Sequence, residues 1–264
     1  MGFCRVLSIV AAALLLAVPL AAHAQSVVRL TNGEWPPYHS EEAPHYGVAS
    51  HIVAEAFRLQ GIGVLYGFFP WRRALDLARI GEWDGAATWL KSADRERDFY
   101  FSEPVLDSQY VFFHLKDAPF AWSSIGDLAK YRLGITNEYF YGHEFMDALK
   151  NGQLQAEGVP SDEQNFRKLL AGRIDAFPID KRVAIALLKK HFSAPEIHRL
   201  AYDARPLYSE PLHLLLSKKN PANRKLIEEF NKGLKKLKAN GQYEAYLREV
   251  STLNVAAGAP PPVK

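Results

Sequence analysis

Apolar and polar positions along this chain switch repeatedly between a period of two and a period near 3.6. Val27 to Thr31 is a short β-type run closed by the turn-forming pair Asn32-Gly33. Between Gly47 and Gln60 the apolar residues Ile52, Val53, Ala56 and Phe57 form i, i+4 pairs on one helical face, with Gly61 as the residue past the helix end. Val64 to Phe69 reads as the next strand. Pro70 sets up a helix over Trp71 to Ile80, and Gly81 stops it before a short strand at Asp84 to Trp89. Strand and helix in alternation predict a parallel α/β sheet.

The pattern restarts after Phe120. Ser124 and Asp127 have capping-box spacing ahead of a short helix, and Tyr131 to Thr136 is strand-like. Ser161 with Gln164 caps a helix through Ala171, Gly172 ends it, and Ile174 to Ile179 is again a strand. A second α/β unit therefore occupies roughly residues 110–209. Pro211 to Ser217 makes a last strong strand, and Pro221 opens an amphipathic helix with the stripe Leu226, Ile227, Phe230, Leu234 and Leu237. This strand and helix are expected to return to the first unit, so that two crossings form a hinge.

Ahead of these elements, Arg5 precedes the apolar run Val6 to Val18 and then Ala22-His23-Ala24. That is the layout of a secretory signal peptide over residues 1–24, cut before Gln25, which predicts a soluble periplasmic protein. The run is too short to span a membrane comfortably. Cys4 is the one cysteine of the chain and leaves with this leader, so no disulfide is expected. Removing Arg5 from the 32 basic residues leaves 31 against 29 acidic ones, a net charge of +2 that is too balanced to imply nucleic acid. The remaining chain of about 240 residues usually exceeds one compact unit, in keeping with two lobes. Residues 251–264, rich in Ala and Pro, are expected to form a disordered tail.

Three runs carry candidate chemistry. In the stretch from Trp83 to Pro104, Arg95 stands six residues before Phe101-Ser102-Glu103-Pro104. A guanidinium facing a cleft is the natural partner for a carboxylate, because its planar fork gives two charge-assisted bonds. The alternative is a surface arginine among Asp94, Glu96, Arg97 and Asp98. The second run is Gly172-Arg173-Ile174-Asp175-Ala176-Phe177-Pro178-Ile179-Asp180, and the third is Asn32-Gly33-Glu34-Trp35-Pro36-Pro37-Tyr38. The two prolines stiffen that loop, so an aromatic held there loses little entropy on binding. The alternative is an aromatic that caps its own lobe's core. Arg72 and Arg73 in the first turn of a helix oppose its dipole, which calls for a salt bridge or an anionic ligand.

Together these runs resemble the family 3 periplasmic solute-binding proteins. The resemblance implies an α/β, two-lobe type II periplasmic binding protein fold with a hinge of two crossing segments. Lobe I would take residues 25–109 and 210–250, and lobe II residues 110–209. It makes Arg95 the ligand-gripping arginine, Asp180 the acceptor of the ligand's ammonium group, and Trp35 the stacking aromatic, with Glu34 beside it for a cationic group. Asp175 is read as structural, and Asp180 has the alternative of a strand-end aspartate paired with Lys181 or Arg182. One of Thr88, Trp89 and Leu90 would take the family's serine or threonine ligand position.

The chain also departs from that pattern. The family's two acids after the first loop are missing from Gly47-Val48-Ala49-Ser50-His51. Glu138, Tyr139 and Phe140 stand where a Gly-Thr or Gly-Ser pair at a helix N-terminus often binds a carboxylate, and Glu138 would repel one. The implied function is capture of a small polar ligand, an amino acid or related small carboxylate, by a monomer that delivers it to an ABC permease. The resemblance implies a binding protein and not an enzyme. The alternatives are a cyclohexadienyl dehydratase-like lyase, with Glu138 or Asp180 as general acid or base, and a ligand-presenting sensor subunit. With no dinucleotide fingerprint, no Gly-x-Ser-x-Gly elbow and no histidine pair at metal spacing on a helix, no cofactor or metal is expected.

Overall fold

A computed structural model describes residues 26–251 and 256–258; the leader read at residues 1–24 lies outside them. The first run of elements is β1 (Val27–Asn32), α1 (Val48–Arg58), β2 (Gly63–Phe68), α2 (Trp71–Ile80), β3 (Gly85–Leu90), α3 (Ala93–Asp98) and β4 (Phe99–Phe101). β5 (Leu106–Leu115) leads into a 3₁₀ turn at Ile125–Lys130, closed by the Ser124–Asp127 capping box. Then follow β6 (Leu133–Thr136), α4 (His143–Lys150), β7 (Ala156–Val159), α5 (Asp162–Leu170), β8 (Ala176–Asp180), α6 (Lys181–His191) and α7 (Ala194–His198). The chain closes with β9 (Leu200–Ser217), α8 (Asn223–Ala239), α9 (Gln242–Ser251) and β10 (Ala256–Gly258).

The strands form one curled path in the order β2-β1-β3-β9-β5-β8-β6-β7. β1 pairs in parallel with β2 and β3, and β6 in parallel with β7 and β8, which makes two parallel α/β units. Between them run β5 and β9, antiparallel to each other from Leu106↔Leu212 to Leu115↔Leu200. The 18-residue β9 carries its C-terminal end into the first unit, where it pairs with β3 and β4. Only Pro211 to Ser217 of this strand was anticipated. Its first half is interrupted by polar residues and Pro206, and it is recruited by the ladder of β5. The register of that ladder shifts between Tyr110 and Phe113, where the strands leave one unit for the other.

Each unit buries its own apolar faces. In the first, Ile52, Val53 and Phe57 of α1 meet Phe230, Leu234 and Leu237 of α8, all fully or almost fully buried. Each such side chain contributes roughly 1.5–3 kcal/mol by leaving water. In the second, successive residues of β5 point to opposite faces: Phe113 packs with Phe166, and Phe112 with Trp122 and Phe145. The tail expected to be without structure contributes β10, which pairs with β9 at Ala201 to Asp203; residues 252–255 and 259–264 lie outside the description. Among the described residues no helix is long and apolar enough to cross a membrane.

α1 and α8 approach so closely that a Cβ on Gly233 would stand 1.9 Å from the Ala56 carbonyl oxygen. Gly233→Ala is expected to destabilise the fold by about 1–3 kcal/mol through overpacking. Urea denaturation followed by circular dichroism measures this; an undiminished midpoint would mean that the two helices separate freely.

Candidate functional site

In an open parallel sheet the strand carboxyl ends carry the loops that meet a ligand. Here the C-terminal ends of β1, β2, β3 and β6 converge on a cleft of about 410 Å³. Glu34 and Trp35 follow β1, Trp71 follows β2, and Thr88, Trp89 and Leu90 end β3. Tyr139 and Phe140 follow β6 and face them from the second unit. Ser108 and Tyr110 of β5 with Tyr208 and Leu212 of β9 complete the lining from the crossing strands.

Each aromatic is held by a local device. The Trp35 ring lies 4.4 Å from that of Tyr38, and the backbone from Trp35 to His39 closes on itself through two hydrogen bonds, of 2.8 and 3.1 Å. Trp71 lies against Gly33, where a Cβ would come within 2.5 Å of the indole; the glycine read as a turn residue is needed for this clearance. Trp71 also meets Trp89 edge to face at 5.1 Å. The Trp89 Nε1 is buried without an acceptor among the described residues. Glu138 adopts the left-handed region at φ 66°, which is costly for a side chain other than glycine. That turn puts Tyr139 and Phe140 on the cleft while Glu138 itself is exposed and outside the lining. Gly142, at φ 90°, leaves room for Tyr208, whose ring meets Phe140 at 5.5 Å and Tyr110 at 6.2 Å. Burial pushes the Tyr139 hydroxyl up to about 12, with Asp162 nearby, and the Tyr208 hydroxyl up to about 12, with Glu210 nearby. Both phenols are neutral at neutral pH.

Behind Thr88 runs a buried polar chain. Asn32 Nδ2 donates to Ser50 Oγ at 3.0 Å, Ser50 Oγ meets His39 Nδ1 at 2.9 Å, and His39 Nε2 meets Thr88 Oγ1 at 2.6 Å. These four side chains form one continuous buried hydrogen-bonded chain that ends at the Thr88 hydroxyl, on the cleft lining. His39 is fully buried, and burial lowers its pKa to about 3. It is a neutral strut that fixes Thr88.

Of the residues expected to touch ligand, Glu34, Trp35, Thr88, Trp89, Leu90, Tyr139 and Phe140 come together in the lining, while Arg95, Asp180 and Glu138 do not. Arg95 is half-buried beside the end of β3: its Nη1 donates to the Leu90 carbonyl at 2.8 Å, and its guanidinium lies 5.0 Å from the Trp89 ring centroid. Burial, then the neighbouring Arg79, pushes its pKa down from the ordinary arginine value. Asp180 is 1% exposed and caps α6. Its oxygens accept from Tyr38 at 2.9 and 3.0 Å, Ser108 at 2.9 Å, and the amides of Gln109, Arg182 and Val183 at 2.9–3.1 Å. Five donor groups occupy the acceptor that the resemblance assigns to a ligand ammonium. Asp175 is bonded to Arg132, at 2.7 Å to its amide and 2.6 Å to Nη2. Arg72 and Arg73 make no ion pair among the described residues, and Arg73 lies 5.6 Å over the Phe69 ring.

Trp71, Ser108, Tyr110, Tyr208 and Leu212 were not anticipated. Trp71 carries a usable signal, since it follows a strand end directly, as Trp35 does. The other four come from β5 and β9, whose crossing is a tertiary event.

Two parallel α/β units joined by two crossing strands, with a cleft at the strand ends between them, define a type II periplasmic binding protein fold. The chain belongs to the bacterial extracellular solute-binding proteins, family 3, whose profile matches residues 27–250. It is 23% identical over 238 residues to an arginine-binding periplasmic protein of Mannheimia haemolytica, covering 88% of this chain and 93% of that one. Among solved structures it resembles the unliganded open L-cystine solute receptor of Neisseria gonorrhoeae, with a TM-score of 0.67 and 19% identity over 89% of this chain and 97% of that one. It also resembles an ancestral cationic amino acid solute-binding protein, with a TM-score of 0.67 and 18% identity over 86% of this chain and 96% of that one.

A folded histidine pKa near 3 against about 6.5 unfolded means that the stability tied to neutral His39 is complete above pH 6.5 and is lost as pH falls toward 3. His39→Gln, which keeps a neutral donor and acceptor, is expected to show a shallower loss of melting temperature between pH 7 and pH 4 than the parent. Parallel acid profiles would assign the slope to other groups.

Proposed function

We propose that this protein captures an amino acid or a related small solute between two lobes and delivers it to an ABC permease from the periplasm. Lobe I comprises residues 25–109 and 210–250, and lobe II residues 110–209. The observation that carries the reading is the cleft itself. Trp35, Trp71 and the end of β3 face Tyr139 and Phe140 across the floor of β5 and β9, so a solute seated there touches both lobes. A volume of about 410 Å³ suits a small molecule, such sites running from roughly 300 to 1,000 Å³. The names of its relatives support an amino-acid-like solute. Neither carboxylate needed by the lyase alternative, Glu138 or Asp180, lines the cleft, so no feature of the site favours that reading.

Native mass spectrometry of the purified protein, followed by a thermal-shift panel of amino acids and small metabolites, tests the proposal. A ligand at 100 times its dissociation constant adds about 2.7 kcal/mol of stability, a shift of several degrees. Trp35→Ala is expected to weaken the binding of any ligand so found by about tenfold, near 1.4 kcal/mol, in titration calorimetry. Unchanged affinity would remove Trp35 from the site.

A further inference from the structure

The rims of the two cleft walls carry opposite charges for which the solute-binding reading has no use. On the first unit's wall, Arg72 and Arg73 directly follow the lining residue Trp71 in the first turn of α2. Both are exposed and without an ion pair among the described residues, in a turn where the helix dipole disfavours cations. Arg73 lies over the Phe69 ring, and Arg72 has no such contact among the described residues. The acid of that wall, Glu34, has its Oε1 bonded to the Glu41 amide at 2.8 Å. Two cations against one anion leave this rim positive.

On the second unit's wall, Glu138 directly precedes the lining residues Tyr139 and Phe140, and Glu144 stands in the first turn of α4. Both acids are exposed and without an ion pair among the described residues. Glu138 also holds its left-handed φ of 66°. Elsewhere the chain mostly meets that requirement with glycine, as at Gly61, Gly81, Gly142 and Gly172. A glutamate that keeps such a cost points to a use for its side chain. Tyr139 and Phe140 are each 37% exposed, so the wall they form still has apolar area for a neighbour to cover. Bringing Trp71 toward them would carry Arg72 and Arg73 toward Glu138 in the same movement, because each charge is within two residues of the aromatic it flanks.

We propose that Arg72 and Arg73 form an ion-paired rim with Glu138 when the two walls approach, and that this pairing sets how readily the cleft closes. The proposal goes beyond the solute-binding reading and rests on it only for the closing movement. The three residues lie outside the cleft lining and are positioning residues, acting through Trp71 and Tyr139. Exposed pairs of this kind favour the paired arrangement by about twofold to fivefold.

Cysteines at the exposed Pro70 and Asn137, beside these charges, report the approach and leave the charges in place. In the full chain carrying Cys4→Ser, Pro70→Cys and Asn137→Cys, cross-linking by a short bismaleimide is followed in time, with labelling by N-ethylmaleimide as the correction for thiol reactivity. The pair is expected to cross-link. Adding Glu138→Lys is expected to slow it by about twofold to fivefold, and adding Arg72→Glu and Arg73→Glu to that variant is expected to restore the rate. At about 1 M salt, where the Debye length is about 3 Å, the differences are expected to vanish. A rate that Glu138→Lys leaves unchanged, or that the charge swap fails to restore, would overturn the ion-paired rim. No cross-link in the starting pair would overturn the approach itself. Circular dichroism of each variant keeps misfolding apart from lost approach. The assay needs no solute, so the solute-binding reading stands or falls separately, on the metabolite panel and native mass spectrometry.

Discussion

The carboxylate of Asp180 holds the lining of the cleft in place. Taking it out of water is costly, and burial pushes its pKa up from the ordinary aspartate value. The cost is opposed by donors from three parts of the chain. They are the Tyr38 hydroxyl in the loop after β1, Ser108 and the Gln109 amide on β5, and the two amides at the start of α6. Arg182 supplies a nearby positive charge, and its Nη1 donates to the Asp107 carbonyl at 2.9 Å. One buried group therefore fixes the first unit's loop to the crossing strand and to the second unit. The Trp35 ring packs tilted against that of Tyr38, and Ser108 lies on the cleft floor, so the geometry of the lining follows from this knot.

A second constraint acts through the crossing strands. β5 and β9 are the shared floor of the two units, and their ladder is irregular between Tyr110 and Phe113. A solute between Trp35 and Phe140 can favour approach of the two walls only by binding the approached arrangement more tightly. Helix α9 packs against α1 and α8 of the first unit and α6 of the second, so it spans the rear of the crossing. The arrangement couples the strand-end loops, which vary easily, to a frame of buried Phe and Leu side chains, which does not.

Much of this frame was legible along the chain. The helix over Trp71 to Ile80 has its predicted bounds, because Pro70 and Gly81 punctuate it and its apolar face has helical spacing. The Ser124–Asp127 box and the Ser161 cap also lie where their spacing put them, since caps are local chemistry. Arg95 and Asp180 show the limit. Both occupy motif positions, yet the partners that engage them, the Leu90 carbonyl for one and Tyr38 with Ser108 for the other, are chosen by folding. The tail segment of β10 was illegible for a related reason, as Ala256-Ala257-Gly258 has no apolar pattern and is ordered by an existing strand edge.

The alternation of strands and helices, their caps and breaks, and the aromatic character of the loops after β1 and β6 can all be read along the chain. These depend on residues within a few positions of one another, where steric preference and hydrophobic period act directly. Which of the charged motif residues line the cleft was settled by tertiary contacts. Folding buried Asp180 among hydroxyl and amide donors, bonded Arg95 to the Leu90 carbonyl, left Glu34 as the one acidic side chain of the lining among the described residues, and brought Trp71, Tyr110 and Tyr208 beside Trp35. The reason is physical: the desolvation and pairing of a charge depend on atoms distant in sequence, and those atoms meet only when the sheet curls and its two long strands cross.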